Sequence, residues 1–181
     1  MEQQDKNEIL GKEYHCLDKG FVRLIDIMGD DSSIVQAARV SYGKGTKSIR
    51  EDRALIRYLM RHSHTSPFEM VELKFHVRLP IFVARQWIRH RTANVNEYSG
   101  RYSEMPDDFY IPEKSQIRTQ SEVNKQGRSD EKIDEATANQ VLHSMEKFQE
   151  ESYNEYKNYI ELGVAREIAR INSPLSSYTE W

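Results

Sequence analysis

Residues 70–80 read Met-Val-Glu-Leu-Lys-Phe-His-Val-Arg-Leu-Pro. Val71, Leu73, Phe75, Val77 and Leu79 alternate with Glu72, Lys74, His76 and Arg78. A period of two puts every apolar side chain on one side of an extended backbone, so the stretch predicts a strand with one buried and one wet face. Pro80 ends it, because its ring removes a ladder donor and presets the dihedral of a first helical turn. Residues 81–91 then read as a helix. At about 100° per residue, Ile81, Ala84 and Ile88 share an apolar arc, while Arg85, Gln86, Arg89 and His90 occupy another.

The pattern extends in both directions. Phe21–Met28 predicts a strand stopped by Gly29. Asp31 or Ser32 is a suitable cap for a short helix carrying Ile34, Ala37 and Ala38. Residues 51–61 predict a helix with Leu55, Ile56, Leu59 and Met60 on one side. Residues 1–16 read as a polar tail. Beyond the centre, residues 113–132 offer only Ile117 and Val123 as aliphatic anchors, which predicts a mobile loop or an interface arm. A long helix over 133–161 carries Ala138, Val141, Met145, Phe148, Tyr156 and Tyr159, with Gly163 as its stop. A last helix over 165–172 ends before Pro174. With no repeat and no hinge, the expectation is an α+β fold, an antiparallel-rich sheet flanked by helices, in a single domain over 17–181.

Of the 181 residues, 38% are hydrophobic and 30% charged, with a formal net charge of -3. No run is long and apolar enough for a bilayer, and the whole chain lacks the basic footprint of a general nucleic-acid binder. One cysteine, Cys16, excludes an intrachain disulfide. The polar start lacks the marks of a signal peptide, so a cytoplasmic location is expected.

Chemistry concentrates after the central helix. Residues 89–102 read Arg-His-Arg-Thr-Ala-Asn-Val-Asn-Glu-Tyr-Ser-Gly-Arg-Tyr. Arginine forks match phosphate or carboxylate, Gly100 permits close backbone approach, and Ser99 adds a hydroxyl. An arginine-rich helix end also suits a solvated face or a nucleic-acid contact, and composition alone leaves these open. Ser99 has no base placed to activate it, so a binding role is favoured over a nucleophilic one. On a continuing helix, Arg89, His90 and Arg91 would diverge by about 100° each. Either the helix ends here or they serve different ligands or subunits; a site shared between subunits is the expectation.

The order of these residues resembles the signature of the flavin-dependent thymidylate synthases: Arg-His-Arg, two variable residues, Ser, one variable, Asn-Glu, one variable, Ser, one variable, Arg-Tyr. Asn94 stands where the family usually has Ser. Asp18–Val22, Ala37–Ser41, His64–Glu69, Pro80–Trp87, Ala165–Arg170 and Pro174–Trp181 are also similar to the family. The resemblance implies methylation of dUMP to dTMP, with methylenetetrahydrofolate as carbon donor, NADPH as reductant and FAD as hydride relay, in a homotetramer whose active sites draw on several subunits. It implies that Ser41, His64, Ser66, Arg89, His90, Arg91 and Glu97 hold FAD. Gln86, Arg89, Glu97, Tyr98, Ser99, Gly100, Arg101 and, from another subunit, Arg170 would hold dUMP. It implies no metal. The family's uracil-activating arginine lies past Trp181, so no catalytic residue is assigned within the chain. A second reading stands beside the first: a non-catalytic family fragment keeping only a nucleotide-binding or oligomerising surface.

Overall fold

The computed structural model describes residues 8–40 and 49–181. Its elements are β1 (Glu13–Cys16), β2 (Gly20–Met28), α1 (Asp31–Arg39), α2 (Ile49–Arg61), β3 (Glu72–Pro80), α3 (Ile81–Trp87), β4 (Arg118–Gln120), β5 (Arg128–Lys132), α4 (Glu135–Glu161), α5 (Arg166–Ala169) and β6 (Tyr178–Glu180). Short 3-10 turns cover Ser66–Met70, Lys114–Gln116 and Arg170–Asn172. Four strands form a sheet in the order β1-β2-β3-β6, and β4 pairs with β5 separately. The expected mixture of helices and antiparallel sheet is observed. The described residues divide into two compact units: residues up to Tyr14 with Val22–His76, and His15–Phe21 with Val77–Trp181. The expected single domain thus takes the form of two units with interleaved sequences, since β1, β2 and β3 each pass from one into the other.

In the first unit, Leu24, Ile34, Val35 and Leu59 form the buried core. Gly29 ends β2 at φ +75°, a conformation that favours glycine. Asp30, one residue before the expected cap, starts α1 through a capping box. Its carboxylate accepts from the Ser32 amide at 2.9 Å, and its own amide donates to Ser33 Oγ at 3.2 Å. Such a cap contributes about 1 kcal/mol. Arg39 and Asp52 join α1 to α2 at 2.7 Å.

Three expectations fail in this unit. Residues 8–16 are not simply a tail: Leu10 bridges Leu24 in parallel, the Gly11 amide donates to the Leu24 carbonyl at 2.8 Å, and β1 follows. A strand edge needs backbone partners, and this polar stretch supplies them. Met60 is exposed rather than packed with Leu59. Leu73 and Phe75 are 54% and 44% exposed, whereas Val77 and Leu79 are buried. Alternation reports which side of a strand is apolar, not what covers it. With Val71, Tyr14, Val22 and Leu24, these side chains line an apolar groove of about 470 Å³.

In the second unit, β3 and β6 pair antiparallel, with Arg78 opposite Glu180, Leu79 opposite Thr179 and Pro80 opposite Tyr178. Val77 and Trp181 exchange amide–carbonyl bonds at 3.0 and 2.9 Å. The α4 helix begins at an Asp134 cap and stops at Leu162, where Gly163 takes φ +80°. Tyr156 and Ala138 are buried as the spacing predicts, but Phe148 is exposed. Buried Gln149 instead donates to the Tyr110 carbonyl at 3.2 Å and to Ser176 Oγ at 3.0 Å, which satisfies its amide. Residues 113–132 are more ordered than expected. Thr119 and Ser129 hydroxyls meet at 2.6 Å, and Gln120 Nε2 donates at 2.8 Å to the carbonyls of Lys125 and Gly127. Polar cross-strand bonds replace the apolar anchors that the composition lacks.

Tyr178 is the centre of a polar cluster. Its hydroxyl donates to the Asp18 carboxylate and accepts from the Lys19 amide at 3.3 Å. The Arg78 guanidinium carbon lies 5.2 Å from its ring centroid and the guanidinium pairs with Asp108, which also meets Lys19 Nζ at 3.2 Å. Burial, then the bond to Asp18, pushes the Tyr178 phenol above its ordinary value of 10.0. The unfolded chain therefore loses this proton first. The contribution of Tyr178 to stability is complete below about pH 10 and declines as pH rises through the alkaline range. Denaturant midpoints across that range should fall for the parent and stay flatter for Tyr178→Phe; identical profiles would remove Tyr178 as the cause.

Candidate functional site

The α3 helix ends earlier than its sequence period suggested. Its last residue is Trp87, and the Ile88 amide closes on the Ala84 carbonyl at 3.0 Å. Ile88 is exposed, against expectation. The chain then turns, with the amides of Arg89 and His90 donating to the carbonyls of Gln86 and Trp87 at 3.2 and 2.9 Å. Ending the helix removes the divergence that a continuous helix would impose on Arg89, His90 and Arg91. Arg85, Gln86, Arg89, His90 and Arg91 are exposed, and the arginines make no ion pair among the described residues. Unpaired, solvated guanidinium groups at one turn are available to an anion.

Residues 97–104 are fastened on two sides. Towards β6, the Glu97 carboxylate accepts from the Thr179 hydroxyl at 2.8 Å, and the Tyr98 amide donates to the Glu180 carbonyl at 2.8 Å. Towards α4, the Met105 amide donates to Tyr156 Oη at 3.0 Å, and Lys157 pairs with Glu104 at 2.7 Å. The Lys157 ammonium holds the Glu104 carboxyl below its ordinary range. Tyr98 donates its hydroxyl to the Glu104 carbonyl at 2.8 Å. Within this frame Ser99 Oγ accepts from the Arg101 amide at 3.3 Å, and the Ser99 carbonyl accepts from Tyr102 and Ser103 at 3.1 and 3.2 Å. The Ser99 hydroxyl is thus part of a turn.

Gly100 is buried at the centre of the loop. A Cβ there would lie 2.5 Å from Met105 Sδ and 3.3 Å from Arg170 Cδ. Arg101 reaches Glu167 of α5 at 3.4 Å, an exposed pair that contributes little by itself. Ser99, Gly100, Arg101 and Arg170 are therefore brought together within one chain. No hydrogen bond or ion pair joins Gln86, Arg89, His90 or Arg91 to this group among the described residues. Thr179 and Glu167 were absent from the sequence expectations. Thr179 had one available signal, its place in a short stretch after Pro174 that pairs with β3.

In the first unit, α2 closes with the His62 amide on the Tyr58 carbonyl at 3.1 Å. Ser63 then adopts φ +54°, and the His64 amide returns to the Leu59 carbonyl at 2.9 Å. This left-handed residue turns His64 back over the helix end. The Tyr58 and His62 ring centroids lie 4.3 Å apart, and His64 lies 6.2 and 6.3 Å from them. The three exposed rings are mutually tilted, at 41°, 85° and 50°, so one ring at a time, not all three, offers a face to a planar ligand. His62 follows Tyr58 by four residues, a spacing that sequence reading passed over. Ser66 opens the following 3-10 turn. Ser41 lies outside the described residues.

Residues 23–181 match the model of the family described as Thymidylate synthase complementing protein, and the chain belongs to that family. A flavin-dependent thymidylate synthase from Treponema denticola is 59% identical over 172 residues, covering 95% of this chain and 65% of that protein. One from Ehrlichia ruminantium is 59% identical over 174 residues, covering 96% and 58%. The chain thus spans about three-fifths of the length of these relatives. Among solved structures, a UMP/dUMP methylase, PolB from Streptomyces cacaoi bound with 5-Br dUMP, aligns with a TM-score of 0.79 at 37% identity, covering 90% of this chain and 70% of that one.

Proposed function

We propose that the chain takes part in methylation of dUMP to dTMP, with methylenetetrahydrofolate as carbon donor and NADPH as reductant, as a homotetramer in the cytoplasm. The observation that carries this reading is Arg170 packed against buried Gly100 beside Arg101. Two arginines at one loop suit the phosphate of a mononucleotide. Ser99 and Tyr98 shape the same loop, and Glu97 fixes it to β6. Gln86 and Arg89, exposed at the α3 end, supply further donors to dUMP.

The residues present also fit FAD. Arg89 and Arg91, which make no ion pair among the described residues, offer cations to a pyrophosphate, and by resemblance His90 and His64 belong to the same set. By resemblance, Ser41, Ser66 and Glu97 complete the set. When bound, FAD supplies the hydride relay between NADPH and the one-carbon unit. The chain's own residues bind the two anions and orient them, which is the larger part of what a protein adds to cofactor chemistry.

The test is a flavin-absorbance and dTMP-formation assay of the 181-residue chain beside a version extended to the length of its relatives. Bound flavin in the chain and NADPH-dependent turnover in the extended form are expected. A colourless chain that binds neither FAD nor dUMP would overturn the reading and leave a non-catalytic family fragment.

A further inference from the structure

The outward face of α2 carries a row of cations that the proposed reaction residues leave unused. Arg50, Arg53, Arg57 and Arg61 follow one another at intervals of three, four and four residues. At about 100° per residue they share an arc of about 80°, opposite the buried Leu59. All four are exposed, and none makes an ion pair among the described residues. The helix's carboxylates do not neutralise the row: Asp52 is bonded to Arg39, and Glu51 projects about 100° away from Arg50. The small Ala54 side chain lies among the arginines and leaves a depression of about 520 Å³ lined by Arg50, Arg53, Ala54 and Arg57.

We propose that this row binds the poly-γ-glutamate tail of the folate donor, a site that rests on the function proposed above. The ligand chemistry is a chain of carboxylates, and the first unit presents a line of cations. Spacing supports the match. Successive arginines advance about 4.5 to 6 Å along the helix axis, and an extended γ-linked glutamate chain places one carboxylate about every 6 Å. The row is about 16 Å long, which suits a short oligoanion. A single-stranded nucleic acid would need a longer cationic track than four arginines on a chain of net charge -3.

The experiment titrates the 181-residue chain, with dUMP and FAD present, against tetrahydrofolate carrying one or five glutamates, at low and moderate salt. Binding of each form is measured for the parent and for the double variants Arg53→Gln/Arg57→Gln and Arg53→Glu/Arg57→Glu. The five-glutamate form should bind the parent about tenfold more tightly. That preference should shrink with salt and disappear in both variants, while affinity for the one-glutamate form stays unchanged. Equal affinities, a preference that survives both variants, or binding of neither folate overturns the proposal. So does an oligothymidylate that displaces the five-glutamate form and itself loses affinity in the variants, because the row then belongs to nucleic acid. Binding of dUMP and FAD is measured first: its loss counts against the proposed function, whereas its retention without a tail preference counts against this site alone.

Discussion

Replacing Arg101 with alanine is expected to lower dUMP affinity by about 10- to 100-fold, the range for losing a hydrogen bond to a charged group. Flavin affinity should change far less, because Arg101 is held on the Ser99–Gly100 turn beside Arg170, apart from the Arg89–Arg91 turn in the bonding pattern. The exposed contact with Glu167 makes the substitution a fair test. An exposed pair of this kind contributes at most about 1 kcal/mol, so the melting temperature should barely move. Calorimetric titration with dUMP and with FAD separates the two effects. Equal losses for both ligands would show that Arg101 supports the whole site rather than the nucleotide, and the assignment of the loop would have to be abandoned.

Gly29→Ala is expected to destabilise the chain by about 2–5 kcal/mol, the sum of a left-handed backbone penalty and overpacking. Gly29 sits at φ +75°, where a Cβ is strained by the backbone itself. That Cβ would also press on the Met70 carbonyl oxygen and come within 3.0 Å of Ser33 Oγ. The carbonyl belongs to backbone and cannot swing aside as a side chain does. Ser33 Oγ is the acceptor in the capping box that starts α1, so the helix start is disturbed as well. Urea unfolding gives the measure, and a midpoint equal to the parent's would mean that the β2–α1 turn relaxes at no cost.

Much of the framework was legible because the responsible signals are local. Pro80 between an alternating stretch and a helical one gave the β3–α3 junction, and Gly29 and Gly163 gave two stops. What failed depended on distant partners. Leu73 and Phe75 alternate as well as Val77 and Leu79, yet only the second pair has cover. The β4–β5 pairing was invisible because its side-chain bonds come from Thr119, Ser129 and Gln120, residues that equally suit a loop. The end of α3 one turn early follows from backbone closure on Ala84, Gln86 and Trp87, which no side-chain period reports. For the site, the order of residues from Arg89 to Tyr102 identified the family, but not that Arg170 lies beside Gly100 or that Thr179 anchors Glu97. Those contacts join segments separated by seventy residues or more, and sequence spacing does not encode them.

The bond from the Tyr98 amide to the Glu180 carbonyl has a kinetic meaning. Glu180 stands opposite Arg78 in the β3–β6 ladder, and the adjacent Val77–Trp181 exchange closes that ladder's end. The Tyr98 amide can therefore exchange its proton with solvent only when the 97–104 loop parts from β6. Its protection becomes a clock for loop opening, and a ligand that clamps the loop slows that clock without touching the amide itself.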